Sequence, residues 1–280
     1  MPRHTRKILA DIPPGHEDPL SYAVTARDRS VMQMVEEAVR RKRVMLAYQP
    51  VVQAQHPERV AFYEALIRVQ DETGRIIPAR EFITRVEEME TGRILDCIAL
   101  EKGLRALAEE PALRLSINMS ARSIGYEPWM RALRHGLKRD PTVGERLILE
   151  ITESSAMTVP ELVTGFMARI QQKGVSFALD DFGAGQTSFR YLRDFYFDIL
   201  KIDGQFIRGI HADPDNQVLT RALVSVARQF DMFTVAEFVE NAADAAYLTE
   251  IGVDCLQGYY FAAPTVQKPW QHPEGRRASA

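Results

Sequence analysis

Short apolar runs alternate with amphipathic stretches along most of the chain. Eight runs have the length and the β-branched or aromatic content of strands: Met45–Val52, Val60–Val69, Leu113–Met119, Arg146–Thr152, Val175–Phe182, Ile199–Asp203, Thr234–Val239 and Cys255–Phe261. Helical spacing of apolar residues separates most of them. It appears in Met32, Val35 and Val39 before the first strand, and in Phe82, Ile83, Val86 and Ile94–Leu107 after the second. It returns over Trp129–Leu137, Leu162–Ile170, Val218–Phe230 and Ala242–Ile251. Pro160 at the start of one such helix and Gly174 beyond its end are the expected punctuation. Strands alternating with helices predict a parallel sheet, and eight of them predict a closed barrel. Only Gln53–Arg59 joins the first two strands, which is too short for a helical crossover, so that pair is expected to be antiparallel. The predicted fold is α/β, a modified TIM (βα)8 barrel with one antiparallel strand.

The periodicity fades at both ends. Residues 1–28 mix proline, glycine and charge and predict a flexible N-terminal arm. Residues 29–266 carry the single domain, and residues 267–280 read as a flexible tail. Arg3, Arg6 and Lys7 precede only Ile8-Leu-Ala10, too short for the apolar core of a signal peptide. No apolar run reaches the roughly 20 residues of a membrane helix, so membrane insertion is not expected and the predicted location is cytoplasmic.

Composition narrows the chemistry. With 46% hydrophobic residues the 280-residue chain can bury a sizeable core, and its net charge of −3 provides no global basic field for a DNA or RNA duplex. An anionic ligand must be held by local cations. Cys97 and Cys255 have no CxxC partner, which argues against a zinc site or a disulfide framework. The six histidines form neither an HxH nor an HExxH pattern.

The apolar runs share one habit: they end in residues that can hold a metal or move a proton. These are Glu64, Asn118, Glu150, Asp180, Lys201, Glu237 and Gln257. A barrel gathers strand ends at one mouth. Carboxylates crowded there repel one another, and desolvation adds to the cost, so the pattern predicts divalent cations between them. Each residue also has a plainer reading. Glu64 could pair with Arg68, Asn118 could cap a helix, Glu153 could be a solvated loop end, and Lys201 could be a structural ion-pair partner of the acids. Asp180-Asp181 is harder to explain as a solvated face, because Gly183 and Gly185 then let backbone approach a ligand closely. Asp181-Phe-Gly183 invites a protein-kinase reading, which fails for want of a Gly-x-Gly-x-x-Gly loop and a His-Arg-Asp loop.

Taken in order, the motifs match a family. They are Tyr48-Gln-Pro-Val51, Glu64-Ala-Leu-Ile-Arg68, Ile117-Asn-Met-Ser120, Glu150-Ile-Thr-Glu153, Asp180-Asp-Phe-Gly-Ala-Gly185, Lys201-Ile-Asp203, Ala236-Glu237 and Gln257-Gly-Tyr259. From about Met32 to Pro264 the chain resembles the EAL-domain phosphodiesterases, which linearise cyclic di-GMP to pGpG. The resemblance implies Glu64, Asn118, Glu150 and Asp180 as ligands of a first Mg2+ or Mn2+, with Asp180 and Asp181 serving a second. It implies that Glu237 handles the attacking water with help from Lys201. Gln49, Leu66, Arg68 and Gln257 would contact the substrate, and Glu153 and Asp203 would steady the loop carrying Asp181. A homodimer is implied, and a regulatory protein partner is compatible with it. The chain departs from the family pattern at Ala184, Gln186 and Thr187, at Phe238 where glycine is frequent, and around Met89-Glu90. All implied metal ligands are present. A silent cyclic di-GMP receptor or interaction module on the same barrel stays open as the alternative.

Overall fold

A computed structural model of the chain describes residues 31–183 and 192–271. The expected N-terminal arm and the positions Ala184, Gln186 and Thr187 lie outside the described residues. Nine strands form one sheet: β1 Val44–Gln53, β2 His56–Gln70, β3 Ile76–Pro78, β4 Leu115–Asn118, β5 Leu147–Thr152, β6 Ser176–Phe182, β7 Ile199–Ile202, β8 Phe233–Ala236 and β9 Cys255–Leu256. The sheet runs β1-β9-β8-β7-β6-β5-β4-β2-β3, and β1 also pairs with β2, so eight strands close into a barrel. β1 is antiparallel to both of its neighbours, β2 and β9, while the pairs from β2–β4 round to β8–β9 are parallel.

The predicted architecture stands, with shifts at the edges. β2 reaches back to His56, leaving only Ala54-Gln55 as the hairpin turn. β3 was not foreseen. It is three residues long, ends in a proline, and lies beside the far end of β2 at Arg68–Gln70. β8 stops at Ala236 rather than Val239, and β9 stops at Leu256 rather than Phe261. At the end of β9, a Cβ on Gly258 would lie 2.0 Å from the Val239 carbonyl oxygen, so the two chains meet there backbone to backbone. The helices fall where the periodicity placed them, among them Glu90–Glu109, Glu127–Arg139, Pro160–Gln171, Pro214–Gln229 and Ala242–Glu250.

The main core lies between barrel and helices, where Trp129, Phe166 and Phe177 stack in sequence. A second, smaller cluster fills the barrel itself: Val51, Phe62, Ile148, Ala178, Ile199 and Val235. Side chains of a strand alternate between its faces, so the residue two positions on shares a face with each of these. Those partners are Gln49 (on the reversed strand), Glu64, Glu150, Asp180, Lys201 and, just past β8, Glu237. One apolar layer inside the barrel thus supports one polar layer above it. The segment from Gln267, read above as the start of the tail, is described as far as Gln271. Its Trp270 packs edge-on against Tyr48 and Tyr63, with centroids 4.7 and 5.4 Å apart.

Candidate active site

Lys201 stands at the centre of the polar layer, fully buried. Its Nζ lies 2.8 Å from Asp180 Oδ1, 2.9 Å from Glu150 Oε2, 2.9 Å from Glu237 Oε1 and 3.6 Å from Glu64 Oε2. The four carboxylates arrive from four different strands, Glu64 from within β2 and the others from near the ends of β5, β6 and β8. That is why residues so far apart in sequence share one ammonium.

Glu64 is fixed by two amides. Asn118 Nδ2 donates to its Oε1 at 2.9 Å, and Gln257 Nε2 donates to its Oε2 at 2.5 Å. Gln257 Nε2 also donates to Gln49 Oε1 at 3.2 Å, and Gln49 Nε2 donates to the Ala262 carbonyl at 3.1 Å. Asn118 therefore points into the site rather than capping a helix. Arg68, the other partner considered for Glu64, donates instead to the Ile67 carbonyl at 2.8 Å. Leu66 and Arg68 follow Glu64 on the same face of β2, toward the rim, and both are partly exposed.

Electrostatics follow from burial. Glu150 is pushed up to about 8, first by desolvation, against the pull of Lys201 and with repulsion from Glu64 and Asp180. Glu237 is driven well above its ordinary value for the same first reason. Asp181 rises to about 6 through burial and then repulsion from Asp180. For Glu64 desolvation is outweighed by Lys201 and the two amide donors, so its carboxyl sits below the usual range. Burial works against the charge of Lys201, but the surrounding carboxylates overcome it and hold the ammonium well above its ordinary value. Five carboxylates thus face one ammonium, and the layer resists carrying its full negative charge.

That arrangement fits divalent cations. Asp180, Asp181 and Glu237 each place an oxygen within 4.8 Å of the others. Buried Glu237 Oε2 has no hydrogen-bond partner among the described residues. Oxygen donors without sulfur or imidazole suit Mg2+ or Mn2+.

A profile of the EAL domain matches residues 32–264. The chain belongs to the EAL domain family. Relatives include the signaling protein YkoW of Bacillus subtilis, 32% identical over 240 residues, and the cyclic di-GMP phosphodiesterase PdeR of Escherichia coli, 32% identical over 241. Each alignment covers 82% of this chain but only 29% and 35% of those proteins, so the chain spans about a third of their length. The solved EAL domain of Xanthomonas citri FimX in complex with c-di-GMP superposes with a TM-score of 0.76 at 25% identity, covering 88% of this chain and 98% of that one. The PaMucR phosphodiesterase complex with c-di-GMP gives 0.73 at 28%, over 84% and 97%. Among the described residues no helix is long and apolar enough to cross a membrane.

Around the EAL ring, Glu153 differs from its plain reading. Glu153 is buried rather than solvated, at the start of the helix Glu153–Thr158, and its Oε2 accepts from the Gly183 N–H at 3.0 Å. Asp203 lies past the end of β7 and caps the short helix Gly204–Ile207, accepting from Gln205 N at 2.8 Å. Gln205 went unnoticed in the sequence. Its Nε2 donates to the Gly183 carbonyl at 2.8 Å, so the residue after Asp181-Phe182 is held from two sides. Nothing in an isolated glutamine two residues after an aspartate marks it for that task.

Proposed function

We propose that this chain is a divalent-metal-dependent phosphodiesterase that hydrolyses cyclic di-GMP to linear pGpG. The observation that carries the reading is the convergence of Glu64, Glu150, Asp180 and Glu237 on Lys201, with Asp181 beside them. Five carboxylates and one ammonium leave a formal charge of −4, which two divalent cations would cancel. In this reading Glu64, Asn118, Glu150 and Asp180 would hold one cation, and Asp180 with Asp181 would hold the other. Such ions supply Lewis acidity toward a phosphoryl oxygen and make a water easier to deprotonate.

The chain's own groups do the rest. Glu237, whose carboxyl is already pushed toward proton acceptance by burial, takes the proton of the attacking water. As it does so the water oxygen bonds to phosphorus and the P–O3′ bond breaks, the departing 3′-oxygen becoming a hydroxyl. Lys201, itself fully buried, meets the negative charge that develops on the phosphoryl oxygens, and burial strengthens such stabilisation. Arg68, at the rim, supplies the local cation that an anionic dinucleotide requires, and Leu66 offers it an apolar surface. Gln49 and Gln257 line the same wall; the Gln257 amide also orients Glu64, and Gln49 Oε1 accepts from that same amide. The printed names of the relatives and the c-di-GMP complexes of the solved neighbours support the choice of substrate. A homodimer belongs to the same proposal and is read by light scattering.

The test is incubation of the pure protein with cyclic di-GMP and Mg2+ or Mn2+, with chromatography of the products. Linear pGpG should form with either ion and vanish in excess chelator. Undiminished turnover after verified metal removal would sink the two-cation account. Tight binding without any product would favour the silent-receptor reading.

A further inference from the structure

Asp181 and Phe238 each follow a buried carboxylate of the site, Asp180 and Glu237. Each adopts the left-handed backbone conformation, with φ of 54° and 55°. An aspartate tolerates that region, whereas a bulky aromatic residue there is a true outlier that the surroundings must hold in place. At Phe238 the surroundings are specific. The guanidinium of Arg208 lies 4.1 Å from the ring centroid, and Arg208 Nε reaches to 3.9 Å from Glu240. On Gly204 a Cβ would lie 2.4 Å from Phe238 Cδ2 and 2.7 Å from Cγ, so the ring rests directly on the Gly204 backbone.

Gly204 opens the short helix Gly204–Ile207, and the next two residues of that helix touch the other turn. Gln205 Nε2 donates to the Gly183 carbonyl at 2.8 Å, and a Cβ on Gly183 would meet Phe206 Cε2 at 2.4 Å. Contact therefore runs without a gap from Phe238 through Gly204, Gln205 and Phe206 to Gly183, two residues past Asp181. The helix is a wedge between the two left-handed turns, and β7 with Lys201 lies directly beneath it in sequence.

We propose that Phe238 is a positioning residue whose ring, seated on Gly204, locks this wedge and so fixes Asp181 relative to Glu237 for cation binding. This rests on the metal reading of the site. Phe238 need not touch substrate. It acts through the helix, and Gly204 is the only size of residue that lets the ring sit where it does.

The test reads Mn2+ binding by calorimetry, with thermal melting alongside to confirm folding. Phe238→Ala should weaken Mn2+ binding by about five-fold or more, the lower end of measured site-to-site coupling, whereas Phe238→Tyr, which keeps the ring, should bind as wild type does. Gly204→Ala should weaken binding in the natural background but add no further loss in a Phe238→Gly protein, where the ring it would strike is gone. A ring that only supports the fold would alter melting and leave the Mn2+ isotherm in place. Unchanged isotherms in folded Phe238→Ala and Gly204→Ala, beside a wild type that binds, would overturn the lock while leaving the metal site standing. Additive losses in the double variant would do the same. A wild type that takes up no Mn2+ would bring down the metal reading and the lock together.

Discussion

Lys201 Nζ sits 2.9 Å from Glu237 Oε1 although the two residues belong to adjacent strand ends and neither is exposed to bulk solvent. An ammonium buried among carboxylates is held only by them, and they in turn are held by it. In the absence of metal ions Lys201 is thus the one basic side chain in ion-pair contact with the acidic layer among the described residues. Lys201→Met should destabilise the metal-free protein by about 3–5 kcal/mol, the usual cost of removing one partner from a buried ion cluster. Added Mn2+ should recover much of that loss by mass action on the folded state. Thermal melting with and without Mn2+ measures both.

Glu237→Ala separates chemistry from binding. Its proposed task is to accept the proton of the attacking water, and loss of a general base lowers turnover by about 10²–10⁴-fold. Cyclic di-GMP binding should persist, since Arg68, Gln49 and the carboxylates around Glu64 remain. Equal turnover in the variant and wild type would remove Glu237 from the mechanism.

Glu153→Ala tests the brace on the Asp181 turn. The carboxylate receives the Gly183 N–H and is almost wholly buried. Its loss should therefore cost stability, about 1–3 kcal/mol for a buried donor left unmatched. It should also raise the metal concentration needed for half-maximal activity, because the turn then samples positions that withdraw Asp181. A metal titration that overlays wild type would retire the brace even if the stability loss is seen.

Asp96 gives the protein a pH dependence away from the acidic ring. Its Oδ2 accepts from Ser123 Oγ at 2.6 Å and from Ser120 N at 3.0 Å, yet burial outweighs both bonds and lifts its carboxyl to about 6. A carboxyl raised in the folded state takes up a proton that the unfolded chain has already released. Its contribution to stability is complete below about 4 and declines as pH rises to about 6. Asp96→Asn should flatten that part of the stability profile. Denaturation midpoints of variant and wild type compared from pH 4 to 7 should diverge only across this window.

Much of this arrangement is legible in the sequence, for a physical reason. Barrel strands carry an inward residue every second position, so an apolar inward residue followed two places later by an acid, amide or lysine repeats from strand to strand. Ile148 with Glu150, Ala178 with Asp180, and Ile199 with Lys201 are examples. What escaped was set by backbone geometry. Phe238 reads as the continuation of an apolar strand, but its left-handed turn ends β8 at Ala236. Gly258 reads as a residue inside a strand, but the regular ladder ends at Ala236 with Leu256. Beyond it Gly258 approaches Val239 through irregular backbone contacts, with Val239 N–H donating to the Gln257 carbonyl. Glu153 by itself reads as a solvated loop end; only the resemblance to the family pointed to a brace, because spacing alone does not reveal that Gly183 folds back onto it. Gln205 escaped for the same reason.

The barrel is not equally fastened around its circumference. β1 meets β2 through ten register pairs but meets β9 through only two, Val52 with Leu256 and Gln53 with Cys255. β8 also meets β9 through only two, Val235 with Cys255 and Ala236 with Leu256, so β9 is the least-bonded strand of the barrel. Local opening takes the least-bonded strand first. Amide protons on either side of this one should therefore exchange with solvent ahead of those in β5 and β6. Farther along β1, the β1–β9 seam is backed by the Tyr48–Thr265 bridge and by Trp270, so the last described turns act as a stitch across it. Gln257, one residue beyond β9, grips Glu64. A breathing motion at this seam would loosen one wall of the acidic ring while the opposite wall stays closed.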